Sequence, residues 1–416
     1  MLRVPIQDAH DGMVIGLPVL HPRRPEVVLL RPGVALDAHT IGKMRELGLR
    51  EVWVKYPRLG HLSEYVSPAV VTACSELAGQ VGRALDSVMG SAHAKLDYAA
   101  YRRAVGGLIE KFCEHPKAAI YVNEIGENGS AALRHASNVC LLSVLMGLKL
   151  DFYLVHERSR LPASSARDVS NLGVGAMLHD IGMARLSAEV RQRWDESQDD
   201  TDPAFREHVQ IGYNLVHDQV EPSASAVVLH HHQHFDGTGF PSKPDESKKE
   251  IGLKGQEIHV FARIVAAADL FCRIRNNGRE EGDPALPTVR ALNIIRQPEY
   301  ARRIDPMVMR ALFNVVPAYA PGTIVMLSSG HQCVVTRWSH NQPCRPMVET
   351  LVPHGKAVDP VEFDLRQRKD LSIARAEGFA VGADNFDLKP GAYDLNSGAD
   401  ALINRAAAMA ERRKAS

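Results

Sequence analysis

The sequence has no thiol framework: its six cysteines, Cys74, Cys113, Cys140, Cys272, Cys333 and Cys344, are scattered through 416 residues without a CxxC pair. That spacing excludes a disulfide scaffold and the usual thiolate metal sites, and with no secretory start it predicts a reducing, cytoplasmic setting. Net charge is also missing, 49 basic against 49 acidic residues, so no global field draws the chain to nucleic acid or to an anionic membrane. An anionic ligand has to be held locally. The most apolar run, Val139 to Val155, is broken by Lys149 and Asp151 and falls short of the ~20 residues of a spanning helix. It reads as a buried core helix, with no membrane insertion. Internal repeats, low-complexity tracts, a P-loop, a GxGxxG fingerprint and an acyl-transfer elbow are absent too, which removes the function classes they mark.

The length is that of two or three domains with real cores. Residues 1–60 alternate VVLLRPG, TIGKMRELG and EVWVKYP, the pattern of a small α/β module. Residues 61–129 carry helical apolar spacing and are expected to form a helical linker. From 130 to 316 helical periodicity dominates, and 317–385 turns into short β-rich runs such as GTIVMLSSG and QCVVTRW. Residues 386–416 read as a tail. The expected fold is mainly α, with a small α/β module before the helical core and a β-rich appendage after it.

Histidine is what the chain has in excess. There are 19, and His230, His231, His232 and His234 fall within five positions. Five elements in order carry candidate ligands: His135 on a helix; the pair His179 and Asp180 at the end of an apolar helical run; His208 with Gly212 on another helix; His231 and His232 ahead of the loop from Asp236 to Pro241; and Asp269 in FARIVAAADLF. A lone helical histidine is usually a hydrogen-bonded core residue, and the signal lies in the ordered set. A buried carboxylate such as Asp269 requires a cation beside it. Asp180, with two oxygens, is able to bridge two ions. Imidazoles with carboxylates suit Fe or Mn, and also Zn, Co or Ni. Such ions would hold a hydroxide and neutralise a phosphate, so hydrolysis of a phosphate ester is the expected chemistry.

HDIGM at 179–183, HHQHFDGTGFP at 231–241 and ARIVAAADLF at 262–271 resemble the HD-GYP family. This is a branch of the HD-domain metal phosphohydrolases whose members are mainly bacterial phosphodiesterases of the second messenger cyclic di-GMP. The resemblance covers 130–316. It implies two metal ions on His135, His179, Asp180, His208, His231, His232 and Asp269, with His179 and Asp180 central to catalysis and a metal-bound hydroxide attacking the phosphodiester. The expected products are pGpG and, with continued reaction, GMP. The loop residues Asp236, Gly237, Gly239, Phe240 and Pro241 correspond to a motif linked to partners, a diguanylate cyclase or another signalling protein, and a homodimer stays open. His230 and His234 are expected beside the ligands or at the surface, and His217 and His259 in structural roles.

The departures from the family are specific. Ala131 stands where some members place a glutamate for a third ion. Met183 replaces a lysine, Gln233 a common glutamate, and Phe240 the tyrosine of GYP. Gly278 replaces a phosphate-binding arginine, for which the neighbouring Arg275 and Arg279 are candidate substitutes. These changes on the substrate-facing side leave two alternatives to turnover of cyclic di-GMP: a receptor or scaffold that binds it without useful catalysis, or a phosphohydrolase of another cyclic dinucleotide or nucleotide.

Overall fold

The computed structural model of the chain describes all residues except 23, 57, 92–93, 121–129, 245–249, 277–284, 352–358, 390 and 396–416. The first segment contains β1 (Leu2–Pro5), β2 (Val14–Ile15), β3 (Val19–His21), β4 (Arg24–Leu30), α1 (Ala38–Glu46) and β5 (Glu51–Lys55). Strands β1, β5 and β2 form an antiparallel sheet in that order, and β3 pairs with β4. Asp37 caps α1 by accepting from the Thr40 amide, which satisfies one of the helix's orphan donors. The helix then buries Ile41 and Met44 with Val52 and Val54 of β5.

The helical body follows as α2 (Pro68–Gly90), α3 (Tyr98–Glu114), α4 (Ala131–Lys149), α5 (Asp151–Glu157), α6 (Ala163–Ala166), α7 (Ser170–Leu178), α8 (Ala188–Ser197), α9 (Pro203–Val216) and α10 (Pro222–His230). The short hairpin β6 (Lys243–Pro244) and β7 (Glu250–Ile251) precedes α11 (Val260–Asn276), α12 (Thr288–Ile295), α13 (Pro298–Ala301) and α14 (Pro306–Val315). Ser130, Ser187, Asp202, Glu221 and Asp305 each cap the helix that follows them through the side chain.

Helix α7 is apolar on every side, as a central helix must be, and each residue from Leu172 to Leu178 is buried. It packs against α3, α4 and α10. Helix α4 is long and apolar enough to cross a membrane by composition, but 72% of that window is buried inside the protein. It is the core helix that its sequence suggested. The segment 61–129, expected as a linker, gives α2 and α3 to this same core.

Arg263 of α11 braces the body from within. Its guanidinium donates to Asp305 at 2.6 Å and to the Tyr153 hydroxyl at 2.5 Å, and it also pairs with Glu157. One buried cation thus ties α5, α11 and the start of α14 together.

The last strands are β8 (Ile324–Leu327), β9 (Gln332–Arg337), β10 (Met347–Thr350), β11 (Glu362–Asp364), β12 (Ile373–Ala376) and β13 (Phe379–Ala380). They form one antiparallel sheet in the order β11, β10, β9, β8, β12, β13. Val334 of β9 is buried in the core of the first module, and the Arg3 amide donates to Gly322 O at 3.2 Å. The first module and the last sheet therefore pack on each other. Residues 391–395, expected as part of a tail, fold back onto α14: Tyr393 stacks on Phe313 at 4.1 Å, and Asn314 Nδ2 donates to Tyr393 O at 2.7 Å.

Candidate metal centre

The seven candidate ligands come from five helices and their ends. His135 lies in the second turn of α4, and His179 and Asp180 follow the last turn of α7. His208 lies in the middle of α9, His231 and His232 follow α10, and Asp269 lies in the middle of α11. These seven side chains converge in two groups, one of Asp180, His208, His231 and His232 and one of His135, His179 and Asp269.

Asp180 joins the groups. Its Oδ1 stands 3.4 Å from His208 Nε2 and 3.3 Å from His231 Nε2, while its Oδ2 stands 3.4 Å from His179 Nε2 and 3.6 Å from His135 Nε2. Asp269 Oδ1 completes the second group at 3.0 Å from His135 Nε2. Close packing makes this possible. A Cβ on Gly182 would collide with the carbonyl of His208, so only glycine lets the turn after Asp180 lie directly on α9.

The imidazoles are oriented from behind. Nδ1 of His179 donates to Ala176 O at 2.8 Å, Nδ1 of His208 to Phe205 O at 2.6 Å, and Nδ1 of His231 to Val228 O at 3.0 Å. A carbonyl only accepts, so Nδ1 carries a proton in each of these rings and Nε2 is the nitrogen turned to the centre. His208 Nε2 and His231 Nε2 stand 3.5 Å apart, and His179 Nε2 and His135 Nε2 3.3 Å apart. Lone pairs facing each other at that distance are relieved by a shared cation, and the donor set fits borderline divalent ions.

The electrostatics agree. Burial opposes ionisation of Asp180, but the imidazoles of His179, His208 and His231 hold its carboxyl well below the usual range. Burial likewise opposes charge on Asp269, yet Arg273 and His135 hold it low. For His179 burial works against the cation, and Asp180 and Asp269 outweigh it and raise the ring's proton affinity. His231 is pushed down to about 4, chiefly by burial and further by His179 and His208, against the pull of Asp180. His232 is held well below its usual value by burial, His231 and Arg273. Both rings are therefore unprotonated near neutrality, as ligands must be.

Arg273 is the residue that sequence reasoning missed. Its Nη2 lies 2.6 Å from Asp269 Oδ2 and 3.4 Å from His232 Nδ1, with its guanidinium over Trp194 at 5.7 Å. The signal was its place four residues after Asp269, which puts both on one helix face. Arg275, the expected substrate contact, is corrected by the same geometry. It is 2% exposed, donates to Thr288 Oγ1 at 2.6 Å and pairs with Glu377 at 3.5 Å, so it braces α12 and the sheet away from the ligands. Gly278 and Arg279 lie outside the described residues.

The loop after the histidine pair is built around the site. Gly237 has φ +84°, and a Cβ on Gly239 would collide with His232 O and the His234 amide. Asp236 accepts from Thr238 N at 3.0 Å and Thr238 Oγ1 at 2.6 Å. Phe240 is buried, stacked on His232 at 4.5 Å, and Pro241 follows it through a cis peptide. Gln233 Nε2 donates to Pro241 O at 2.6 Å, a bond that an ionised glutamate could not donate. Met183 packs with Phe205 and Phe240 in an apolar cluster. Of the remaining histidines, His234 bonds to Thr238 Oγ1 at 2.9 Å, and His259 accepts from the Phe261 amide at 3.2 Å at the start of α11. His217 stacks on Tyr213 at the surface, at 5.2 Å.

Comparison with known proteins matches residues 152–308 to the HD domain. The chain is similar to the cyclic di-GMP phosphodiesterase PA4108 of Pseudomonas aeruginosa, 26% identical over 371 residues, covering 80% of this chain and 81% of that protein. It is also similar to the cyclic di-GMP phosphodiesterase response regulator RpfG of Xanthomonas campestris, 30% identical over 110 residues, 26% of this chain and 27% of that one. Among solved structures, Bd1817, an HDG"Y"P protein of Bdellovibrio bacteriovorus, aligns with TM-score 0.42 and 14% identity over 75% of this chain and 97% of its own. Residues 152–308 thus carry an HD domain, and it contains six of the seven constellation residues, His179, Asp180, His208, His231, His232 and Asp269, with His135 preceding it.

Proposed function

We propose that the protein is a metal-dependent phosphodiesterase that hydrolyses cyclic di-GMP to pGpG and onward to GMP, using two divalent ions, iron or manganese, held by the seven residues. The carrying observation is Asp180, whose two oxygens face two separate pairs of imidazole nitrogens. One ion would be held by Asp180, His208, His231 and His232, the other by Asp180, His135, His179 and Asp269. Divalent ions there supply Lewis-acid activation of water and neutralise the charge that develops on a phosphate.

The chain's own residues supply the rest. The carbonyls behind His179, His208 and His231 keep three rings aimed inward. Arg273 holds one oxygen of Asp269, leaving the other to the centre. The names of the relatives support the substrate. The six unpaired cysteines support a reducing, cytoplasmic setting. Phe240 is buried beneath His232, so the exposed Thr238 turn is the part of the loop left to meet a signalling partner.

The test is to purify the protein with Mn or Fe under reducing conditions and follow cyclic di-GMP by chromatography; no turnover with both sites filled overturns the reading. A second reading, a receptor that binds the dinucleotide without hydrolysing it, is favoured by the apolar seat of Met183. Binding without turnover in the metal-loaded protein would establish it.

A further inference from the structure

A cavity of about 240 Å³ opens beside His231 and His232, lined also by Trp194, Tyr300, Arg273 and Arg303. The two arginines differ in how their charge is used. Arg273 is committed to Asp269 at 2.6 Å. Arg303 has no ion pair among the described residues, its Nε is buried without a hydrogen-bond partner, and its guanidinium lies 5.8 Å over the ring of Tyr300. A buried guanidinium nitrogen left unmatched is costly, and an anion in the cavity offsets that cost. Asp200 is the acidic residue of the lining, so an anion is directed to the arginine end. Trp194, stacked on Phe205 at 3.7 Å, and Tyr300 give the cavity an aromatic lining beside the arginines.

We propose that Arg303 is the phosphate anchor of the substrate site, with the cavity between Trp194, Tyr300 and Arg273 receiving a nucleotide unit of a dinucleotide phosphodiester. This rests on the phosphodiesterase reading above and supplies the cation that the chain lacks at Met183. Arg303 belongs to none of the histidine and aspartate motifs, and the turn between α13 and α14 carries it to the site. There the Phe235 amide donates to Arg303 O at 2.8 Å, fixing the loop after the histidine pair against this turn.

The experiment is calorimetric titration of a non-hydrolysable phosphonate analogue of pGpG into the manganese-loaded full chain, with manganese content measured on the same samples, for wild type, Arg303→Gln and Arg303→Lys. Arg303→Gln is expected to weaken binding about ten-fold to a hundred-fold, the value of a charge-assisted hydrogen bond, with manganese content unchanged and part of the binding recovered in Arg303→Lys. Wild-type affinity in Arg303→Gln, or loss of manganese with loss of binding, overturns the anchor. Turnover of cyclic di-GMP separates the two ideas. Binding that depends on Arg303 without wild-type turnover removes the phosphodiesterase reading and keeps the anchor, whereas turnover with binding that ignores Arg303 does the reverse.

Discussion

Arg273 stands one helical turn after Asp269 on α11 and divides that carboxylate's work: Oδ2 lies 2.6 Å from the guanidinium, while Oδ1 lies 3.0 Å from His135 Nε2. In the proposed metal site, this charged neighbour would aim a ligand oxygen without itself facing the ion. Groups that orient metal ligands in this way are typically worth about ten-fold to a hundred-fold in metal affinity. Arg273→Ala is expected to weaken metal binding by that factor, and Arg273→Lys, which keeps the charge but loses the planar fork, by less. Metal titration of the three proteins decides it; equal affinities would show that Asp269 needs no such support.

Asp180 serves both ligand groups, whereas His208 serves one. Asp180→Ala is expected to lose both ions, and His208→Ala to retain the ion nearer His135 and His179. Elemental analysis after gel filtration gives the counts. Removing the ions from the wild type with a chelator is expected to lower Tm, since a ligand at a hundred times its Kd stabilises the folded state by ~2.7 kcal/mol. Two ions remaining on Asp180→Ala would sink the shared-carboxylate arrangement.

Gly182 is where the turn after Asp180 meets α9, and a Cβ there has nowhere to go but into backbone. Gly182→Ala is expected to cost roughly 1–3 kcal/mol, the range of an overpacked interior, and to lower metal retention by moving Asp180 away from His208. Denaturant unfolding together with metal content tests both halves. A variant as stable as wild type, with full metal, would show that the contact relaxes freely.

His259 lies at the start of α11, its ring accepting from the Phe261 amide, and its pKa is pushed down to about 4, chiefly by burial and further by Arg158 and Arg263. The folded form keeps this ring neutral where the unfolded chain, titrating near 6.5, binds a proton. Stability from this group is therefore complete above the unfolded value and declines as pH falls from about 6.5 towards about 4, by an amount on the order of 3 kcal/mol. His259→Asn keeps a side chain able to cap the helix and removes the titration. Its stability, measured by denaturant between pH 7 and pH 4, is expected to fall less steeply than that of wild type; parallel curves would assign the acid sensitivity elsewhere.

Much of the centre was legible because its signals are local. A histidine next to an aspartate at a helix end, two adjacent histidines ahead of a glycine-rich loop, and an aspartate within an apolar helix are all visible in short windows. These five residues, with His135 and His208, converge in two adjoining groups. The core character of α4 was equally local. Arg275 misled because proximity in sequence is not direction in a helix: Arg273 is four residues from Asp269 and shares its face, whereas Arg275 is six away and points to Thr288 and Glu377.

By itself, then, the sequence determined which side chains are available for a metal centre and on which helices they ride, because ligand identity and helical periodicity are properties of neighbouring residues. Only the tertiary structure decided that Asp180 turns one oxygen to each pair of histidines, that Met183 is spent on an apolar cluster, and that Arg303, from a turn outside every motif, lines the cavity beside His231 and His232. Those relationships depend on close approach between helices distant in the chain, set by the packing of α7 among its neighbours and by glycines that let backbone touch backbone.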